Sequence, residues 1–510
     1  MKRSRPVAIG FLAAVAGGIA SAVLWSGAAA ADGGPDLAAI DRYVRSEMEV
    51  QRIPGLALGI VQGERIVHVQ GFGQVEKSGP GVSPQTPFLI GSLTKSFTAL
   101  AIMQLSEAGR VQLDAPVQRY LPWWRVADPD ASARVTVRHL LYQVSGLSKA
   151  TGNAYATSSD THDSALEDRV RALRNAELTQ PVGTTWQYSN ANYWTLGMIV
   201  QALSGRSYEA YIQQHILDPL QMRNSYTSRV EAEQHGLPTE HRYWYGFPVA
   251  AELPFDRGGL GAGGLSSSAL DMARYLGVYL NDGRSGGTAL VSPAGAAELQ
   301  RPGVPTGVDG GFYAMGWAVN RLHGVATVSH DGSDFGSHAN VVLVPDHQWG
   351  VVVMENAENS PDEFFGSHRM TLIANGVTGM LLGQQPPTST SSSTSLWVVY
   401  GVVLWIIALQ VGGIARSVQI IRWWRAAPLQ RPRGARRIGL RVGLPLLVSW
   451  SWALIVLVGL PRIISAPLPA ILAGLPDLGY PLVASAVLAF GWGLVRAIWA
   501  IRTLRTPGTS

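Results

Sequence analysis

Apolar positions in the first part of the chain follow first a helical and then a strand period. Leu37–Glu49 places apolar residues at three- and four-residue spacing, which predicts an amphipathic helix. Leu56–Val61 and Arg65–Gly71 flank a short break that contains a glycine, and together they predict an antiparallel hairpin. A further apolar helix is predicted from Ser92 onward, and Thr136–Tyr226 is predicted to be largely helical.

The strand period returns late in the chain. Four short runs predict strands, the last two around a turn at Pro345-Asp346: Met315–Asn320, Val325–Ser329, Asn340–Val344 and Gly350–Met354. Glu363–Leu382 then shows an apolar helical face. Strands at both ends with helices between them predict an α/β protein of the α+β type. One sheet would take strands from both ends, and a helical region would be inserted.

The chain changes character after residue 383. Residues 384–395 contain only Gln, Pro, Ser and Thr, a composition that cannot build a core and predicts a linker. Three apolar stretches follow, at Leu396–Ile414, Val442–Leu460 and about Gly479–Val495. Each is long enough to cross a bilayer, which takes roughly 20 residues. Residues 396–510 are therefore predicted to form three transmembrane helices.

Charge placement predicts how these helices are oriented. Arginines crowd the segment between the first two stretches and follow the third, whereas 461–478 contains only Arg462 as a basic residue. The positive-inside rule puts the arginine-rich segments in the cytoplasm and 461–478 outside. Residues 1–31 resemble a secretory signal, with a basic start, an apolar run and small residues before Asp32. An uncleaved signal anchor is the alternative, and both place residues 32–383 outside the cytoplasm.

Composition excludes several function classes. The chain has no cysteine, so disulfides and thiolate chemistry are excluded. Its net charge of +5 comes largely from arginines beside the apolar stretches, which disfavours a nucleic-acid partner and favours a membrane. No His, Asp and Glu cluster has the spacing of metal ligands, so neither a metal nor a cofactor is expected. His338 is close enough in sequence to His330 to be a neighbour of the pocket, but the expectation is a solvated loop histidine.

The strongest candidate chemistry lies at Ser92 and Lys95. Residues three apart share one face of a helix, so the serine hydroxyl and the lysine amine would be neighbours. A serine needs a base to become a nucleophile, and a buried lysine with a lowered pKa can serve as one. Only four of the 40 basic residues are lysines. Arginine cannot give up its proton, so lysine at this position favours the catalytic interpretation over a helix cap with a solvated lysine.

Two further motifs could complete a site. Tyr188-Ser189-Asn190 enters a helix from a loop, where a tyrosine could relay a proton and an asparagine could hold a substrate carbonyl. His330-Asp331-Gly332-Ser333 follows a predicted strand, and its glycine would let a substrate backbone approach. A loop tyrosine beside a capping asparagine, and a loop histidine without a catalytic role, are the structural alternatives.

Together the three motifs resemble the penicillin-recognising serine hydrolases, a family that includes class C β-lactamases, D,D-peptidases, D-aminopeptidases and esterases. The resemblance covers about residues 36–382. It implies an antiparallel sheet flanked by helices beside an all-helical region, with the active site between them. It also implies roles: Ser92, Lys95 and Tyr188 would be catalytic, and Asn190, His330, Gly332 and Ser333 would bind substrate. The backbone N–H groups of Ser92 and Ser333 would form the oxyanion hole.

The sequence departs from this family at two places. His330 stands where β-lactamases and D,D-peptidases usually have a lysine, which disfavours a true β-lactamase. Tyr142-Gln143-Val144 also departs from the pattern of relatives, which puts substrate-side details in doubt. The expected function is a membrane-tethered extracytoplasmic hydrolase of a small ester or amide, with a D-amino-acid cell-wall peptide as one candidate substrate. The alternative is a penicillin-binding or sensor protein with little turnover.

Overall fold

The fold is built on an eight-stranded sheet to which both ends of residues 37–383 contribute. We call these residues the hydrolase-like region, or hydrolase region. The computed structural model describes residues 34–308, 310–359, 369–389 and 394–505, so the predicted signal at 1–31 and the start of the predicted helix Glu363–Leu382 lie outside the described residues. The strands of this sheet are β1 Gly55–Gln62, β2 Arg65–Gly73, β9 Val304–Pro305, β10 Phe312–Tyr313, β11 Ala318–Leu322, β12 Val325–Ser333, β13 His338–Val344 and β14 Trp349–Glu355. Their order is β2-β1-β14-β13-β12-β11-β10-β9, with every neighbouring pair antiparallel.

Shorter strands and eleven helices occupy the rest of residues 37–359 in the described part of the chain. The strands are β3 Phe88–Leu89, β4 His241–Trp244, β5 Phe247–Ala250, β6 Ser266–Ser267, β7 Arg284–Ser285, β8 Thr288–Ala289 and β15 Ala357–Glu358. The helices are α1 Leu37–Gln51, α2 Thr94–Glu107, α3 Pro129–Arg134, α4 Val137–Leu141, α5 Lys149–Asn153, α6 Ala165–Ala172, α7 Asn190–Ser204, α8 Tyr208–Ile212, α9 Arg229–Gln234, α10 Ala269–Leu280 and α11 Pro293–Gln300.

The sheet has a helical layer on each face because its strands alternate their side chains. Leu56, Leu58 and Ile60 of β1 pack with α1 and with α12, Arg369–Leu381. Ala57 and Val61 belong to the larger core that contains α2 and α10. The predicted sheet with flanking helices is therefore confirmed, as is the predominantly helical Thr136–Tyr226 region beside it.

Three long apolar helices follow, as predicted. The first is α13, Thr394–Ala426, which begins within the Ser/Thr segment. The second runs over Ala435–Ile464 with π-helical turns at Gly439–Gly443 and Ile455–Gly459, and the third is Pro476–Arg505. A short helix, Leu468–Gly474, lies between the second and third. All three are long and apolar enough to cross a membrane.

Two strand ends differ most from the prediction, one at the end of β12 and one at the start of β11. The predicted strand Val325–Ser329 extends to Ser333, because Gly332 still pairs with Ala339 and Ser333 with His338. Met315 to Trp317 precede β11 instead of forming part of it. Cross-strand pairing, which periodicity does not report, sets these ends.

Candidate active site

Ser92 and Lys95 meet at the start of α2, as the helical spacing predicts. A 3-10 turn at Gly91–Leu93 leads directly into the helix, and Gly91 adopts a φ of +48° that favours glycine. The Nζ atom of Lys95 donates hydrogen bonds to the Oγ of Ser92 and to the carbonyl oxygen of Ala262, both at 2.8 Å. The lysine is thereby held against the serine hydroxyl.

The surroundings of Lys95 favour its neutral form. The side chain is completely buried, and burial lowers its pKa to about 7, although the charge of Asp331 acts in the opposite direction. The Nζ atom also lies 4.8 Å from the ring centre of Tyr188 and 5.8 Å from that of Tyr193. A substantial fraction of neutral amine is therefore present near neutral pH, which a general base requires.

Tyr188 and Asn190 lie at the entrance to α7. Burial raises the pKa of Tyr188 well above its usual value, Tyr313 adds to this, and a hydrogen bond with Ser92 opposes it. The phenol is therefore a proton donor near neutral pH. Asn190 donates a long hydrogen bond of 3.5 Å to the carbonyl oxygen of Gly152, and its buried Oδ1 contacts no hydrogen-bond donor among the described residues.

Gly332 brings strand β12 against the serine. A Cβ atom on Gly332 would lie 1.9 Å from the carbonyl oxygen of Ile90 and 3.0 Å from the backbone nitrogen of Ser92. No side chain fits at that distance, so glycine allows the two backbones to touch. This contact places the backbone of Ser333 beside that of Ser92, and both residues line the same cavity.

His330 is a buried, neutral member of this group. Its Nδ1 lies 2.5 Å from the carbonyl oxygen of Asp331, and since a carbonyl only accepts, Nδ1 carries the proton. Its Nε2, 3.3 Å from the Tyr313 hydroxyl, is then the acceptor. Burial lowers the pKa of His330, Asp331 opposes this, and the positive charge of Lys95 lowers it further. It therefore supplies no fixed positive charge at neutral pH.

Gln143 and Tyr313 join the site although neither was predicted to. The Gln143 Oε1 accepts hydrogen bonds from the backbone N–H of Ser189, at 3.0 Å, and from the side chain of Asn192. It thus fixes the loop that carries Tyr188. The only sequence signal for Gln143 was its departure from the family pattern.

The expectation that His338 is a solvated loop residue is wrong. It lies in β13, 2% exposed, with its Nδ1 3.1 Å from both the Glu358 carboxylate and the Ser333 Oγ. Burial alone would lower its pKa, but the hydrogen bond and charge of Glu358, with Glu355, raise the pKa to about 9. His338 therefore reaches the active site through Ser333, as a charged group behind it.

A cavity of about 390 Å³ opens in front of Ser92. Ser92, Asn190, Ser333 and Phe255 are among the residues that line it. The arrangement combines a nucleophile, an adjacent neutral base, a protonated phenol and a close backbone pair. Those are the parts that acyl transfer through a covalent intermediate needs.

Comparison with known protein families matches residues 40–375 to the family described as Beta-lactamase. The chain belongs to this family. The family resemblance recognised in the sequence is thereby confirmed.

Named relatives come from bacteria and an archaeon. The chain is 27% identical over 339 residues to "Protein flp" of Staphylococcus aureus strain MW2, a match covering 66% of each chain. It is 30% identical over 306 residues to "Penicillin-binding protein 4" of Amycolatopsis lactamdurans, which covers 58% of this chain and 78% of the relative. The chain thus spans about two thirds of the length of the flp proteins it matches.

A solved structure shows the same fold. The octameric penicillin-binding protein homologue from Pyrococcus abyssi superimposes with a TM-score of 0.61 at 29% identity. The match covers 69% of this chain and 78% of the other. The family match ends at residue 375, before the three apolar helices begin.

Proposed function

We propose that this protein is a membrane-anchored serine hydrolase that forms an acyl-enzyme on Ser92. The observation that carries the proposal is the 2.8 Å contact between the Ser92 Oγ and a fully buried Lys95 whose pKa is about 7. A lysine held in water would be protonated at that pH and could not take the proton of the serine. Burial makes it a base where a nucleophile needs one.

The proposed reaction has two halves. Lys95 accepts the proton of Ser92 while the Oγ forms a bond to the substrate carbonyl carbon, and the backbone N–H groups of Ser92 and Ser333 stabilise the oxyanion. Tyr188 then gives its proton to the leaving group as that group's bond to the carbonyl carbon breaks, and the proton held on Lys95 passes to Tyr188 and restores the phenol. In the second half water attacks the acyl carbon and gives up a proton through the same groups, the bond from the acyl carbon to the Ser92 Oγ breaks, and the Oγ takes up that proton as the acid is released. Asn190 orients the substrate carbonyl.

The substrate class is a small ester or amide, for which a D-amino-acid cell-wall peptide is one candidate. The neutral state of His330 argues against a true β-lactamase, because a carboxylate-bearing substrate gains no charge partner there. Because one relative is named a penicillin-binding protein, penicillin binding is also a candidate property of this chain.

Mass spectrometry of the intact full-length protein in detergent tests the acyl-enzyme. We expect wild type to gain one adduct from a fluorophosphonate, and Ser92→Ala to gain none. A penicillin adduct on wild type as well would place the activity with cell-wall peptidases. Equal labelling of both proteins would overturn the role of Ser92.

A sensor with little turnover is the second candidate, and one observation favours it. The carboxylate of Asp477, at the start of the third apolar helix, accepts a hydrogen bond of 2.9 Å from the backbone N–H of Tyr245 and another from the Tyr400 hydroxyl. A conformational change on ligand binding near Ser92 would be transmitted through these contacts to the first and third apolar helices. An adduct that persists for hours without product release would support the sensor.

We also propose that the hydrolase region lies outside the cytoplasm. The arginine distribution supports this, and so do the contacts of residues 465–477 with the hydrolase region, since that segment is predicted to be external. The cysteine-free chain permits a direct test in spheroplasts. Lys77→Cys should react with a membrane-impermeant maleimide, and Leu429→Cys should react only after lysis. The reverse pattern would invert the topology.

A further inference from the structure

One wall of the catalytic cavity comes from the C-terminal apolar region. The cavity in front of Ser92 is lined on this side by aliphatic residues between and at the ends of the second and third apolar helices: Ile464, Ala466, Ala470, Ile471 and Leu475. These residues are more than 350 positions from Ser92 in the chain. We call this set the aliphatic wall.

Polar contacts hold the aliphatic wall in place. The side chain of Asn153, which also lines the cavity, donates to the carbonyl oxygen of Ser465 at 3.1 Å. Arg242 donates to the carbonyl oxygen of Ala473 at 3.1 Å, and the rings of Trp244 and Tyr480 stack with centres 5.9 Å apart. With the contacts of Asp477, these anchors fix the segment from both ends against the hydrolase region.

The aliphatic wall is continuous with the packing between the apolar helices. Ile471 and Leu475 belong to one buried cluster with Tyr400 and Val403 of the first helix and Leu478 of the third. Ile464 packs on that same cluster. An apolar path therefore runs from the helices that would span the bilayer to the cavity that contains the serine.

The cavity offers little to an anionic substrate. Both arginines among its described lining residues are already paired, Arg169 with Asp256 and Arg229 with Glu240. An anionic ligand would have to compete with these partners. An aliphatic chain, in contrast, gains from leaving water for the wall.

We propose that the substrate is a membrane-resident amphiphile, an ester or amide that places its carbonyl at Ser92 and an aliphatic chain along the aliphatic wall. This inference rests on the proposed acyl-enzyme chemistry and narrows the substrate class from small esters and amides to those that carry an aliphatic chain. The aliphatic chain of the substrate reaches the cavity from the bilayer side, and the polar part of the substrate lies toward Asn190 and Ser333. A small soluble ester reacts by the same steps but leaves the wall unused.

Two pairs of esters test this with the full-length protein in one fixed detergent. p-Nitrophenyl butyrate and octanoate vary the acyl side, and butyl and octyl acetate vary the alcohol side. Each methylene moved from water to an apolar surface contributes about 0.8 kcal/mol, which is about fourfold in kcat/KM. Since the wall covers only part of a chain, we expect the octyl member of one pair to be favoured by at least about tenfold.

Neighbouring isoleucines provide a matched control. Ile464 lines the cavity, whereas Ile463 is 77% exposed and does not. Ile464→Ser should reduce the chain-length preference at least about threefold, and Ile463→Ser should leave it unchanged. Ser92→Ala supplies the background rate of hydrolysis, and partitioning of the longer esters into micelles cancels when the two isoleucine variants are compared.

The outcomes separate this inference from the proposed function. Acylation of Ser92 with no chain-length preference in either pair would overturn the amphiphile and leave the hydrolase intact. Equal effects of the two isoleucine variants would also overturn it. Failure of all four esters to acylate Ser92 would overturn the proposed chemistry and this inference with it.

Discussion

The Nζ atom of Lys95 lies 2.8 Å from the Oγ of Ser92, and the two side chains are one helical turn apart. Lys95 has no exposed surface. In the proposed mechanism, the protonation state of this one group sets when the serine can react.

The rate of Ser92 acylation should rise with pH through about 7 and then level off. Burial lowers the pKa of Lys95 to about 7, so the neutral amine is lost as pH falls below that value. Stopped-flow labelling with a neutral ester from pH 5 to 9 measures the profile. Lys95→Arg should lower the rate at least about 100-fold at every pH, because arginine keeps its proton. A profile that is flat in wild type would contradict the assignment of Lys95 as base.

Gly332→Ala should lower kcat/KM at least about 100-fold, comparable to losing an oxyanion donor. The added Cβ would lie 1.9 Å from the carbonyl oxygen of Ile90 and must push β12 away from Ser92. Gly81→Ala is the matched control, since its Cβ would meet no atom closer than 3.7 Å. Ester hydrolysis and the Tm of each variant check the effect. Full activity in folded Gly332→Ala would show that the close approach is not needed.

His330→Lys should favour substrates that bear a carboxylate. Burial keeps the pKa of His330 below its usual value, so wild type has no cation there at neutral pH, and lysine would supply one. We expect the ratio of penicillin to neutral-ester acylation to rise about tenfold. The added charge would also lower the pKa of Lys95, which moves the pH profile to lower pH. His330→Gln, which adds no charge, is the control. An unchanged acylation ratio in His330→Lys would contradict the inference that the charge at position 330 sets the preference for carboxylate-bearing substrates.

His338 should stabilise the fold more at pH 6 than at pH 9. Its pKa is raised from about 6.5 to about 9, mainly by Glu358, so the folded state binds its proton more tightly than the unfolded chain. This contribution is fully present below about pH 6.5 and is lost as pH rises through about 9. The Tm difference between wild type and His338→Gln should therefore shrink over that interval. His347→Gln, at an exposed position, should show no such change. A Tm difference between wild type and His338→Gln that grows with pH would contradict the expected loss of stabilisation as His338 gives up its proton.

The parts of the site that depend on local geometry could be predicted from the sequence. The Ser92–Lys95 pair follows from helical spacing alone, and the main strands follow from period-two alternation. The environments of His338 and Gln143 could not be predicted, because they are formed by strands and loops that are distant in the chain. The predicted strand also ended before His330, because the pairing of Gly332 with Ala339 is a property of the sheet and not of the segment. The contribution of Ile464 to Leu475 to the cavity was missed for the same reason.

The aliphatic wall has a consequence for biosynthesis. A ribosome makes the chain from its N-terminus, and domains fold broadly in that order, so residues 37–359 can fold before Ile464 to Leu475 have emerged. In the proposed topology, the newly exported region would already hold Ser92 and Lys95 together, but its cavity would lack the aliphatic wall. Insertion of the last two helices would supply that wall, so the substrate-binding site would mature only when the proposed membrane part is complete.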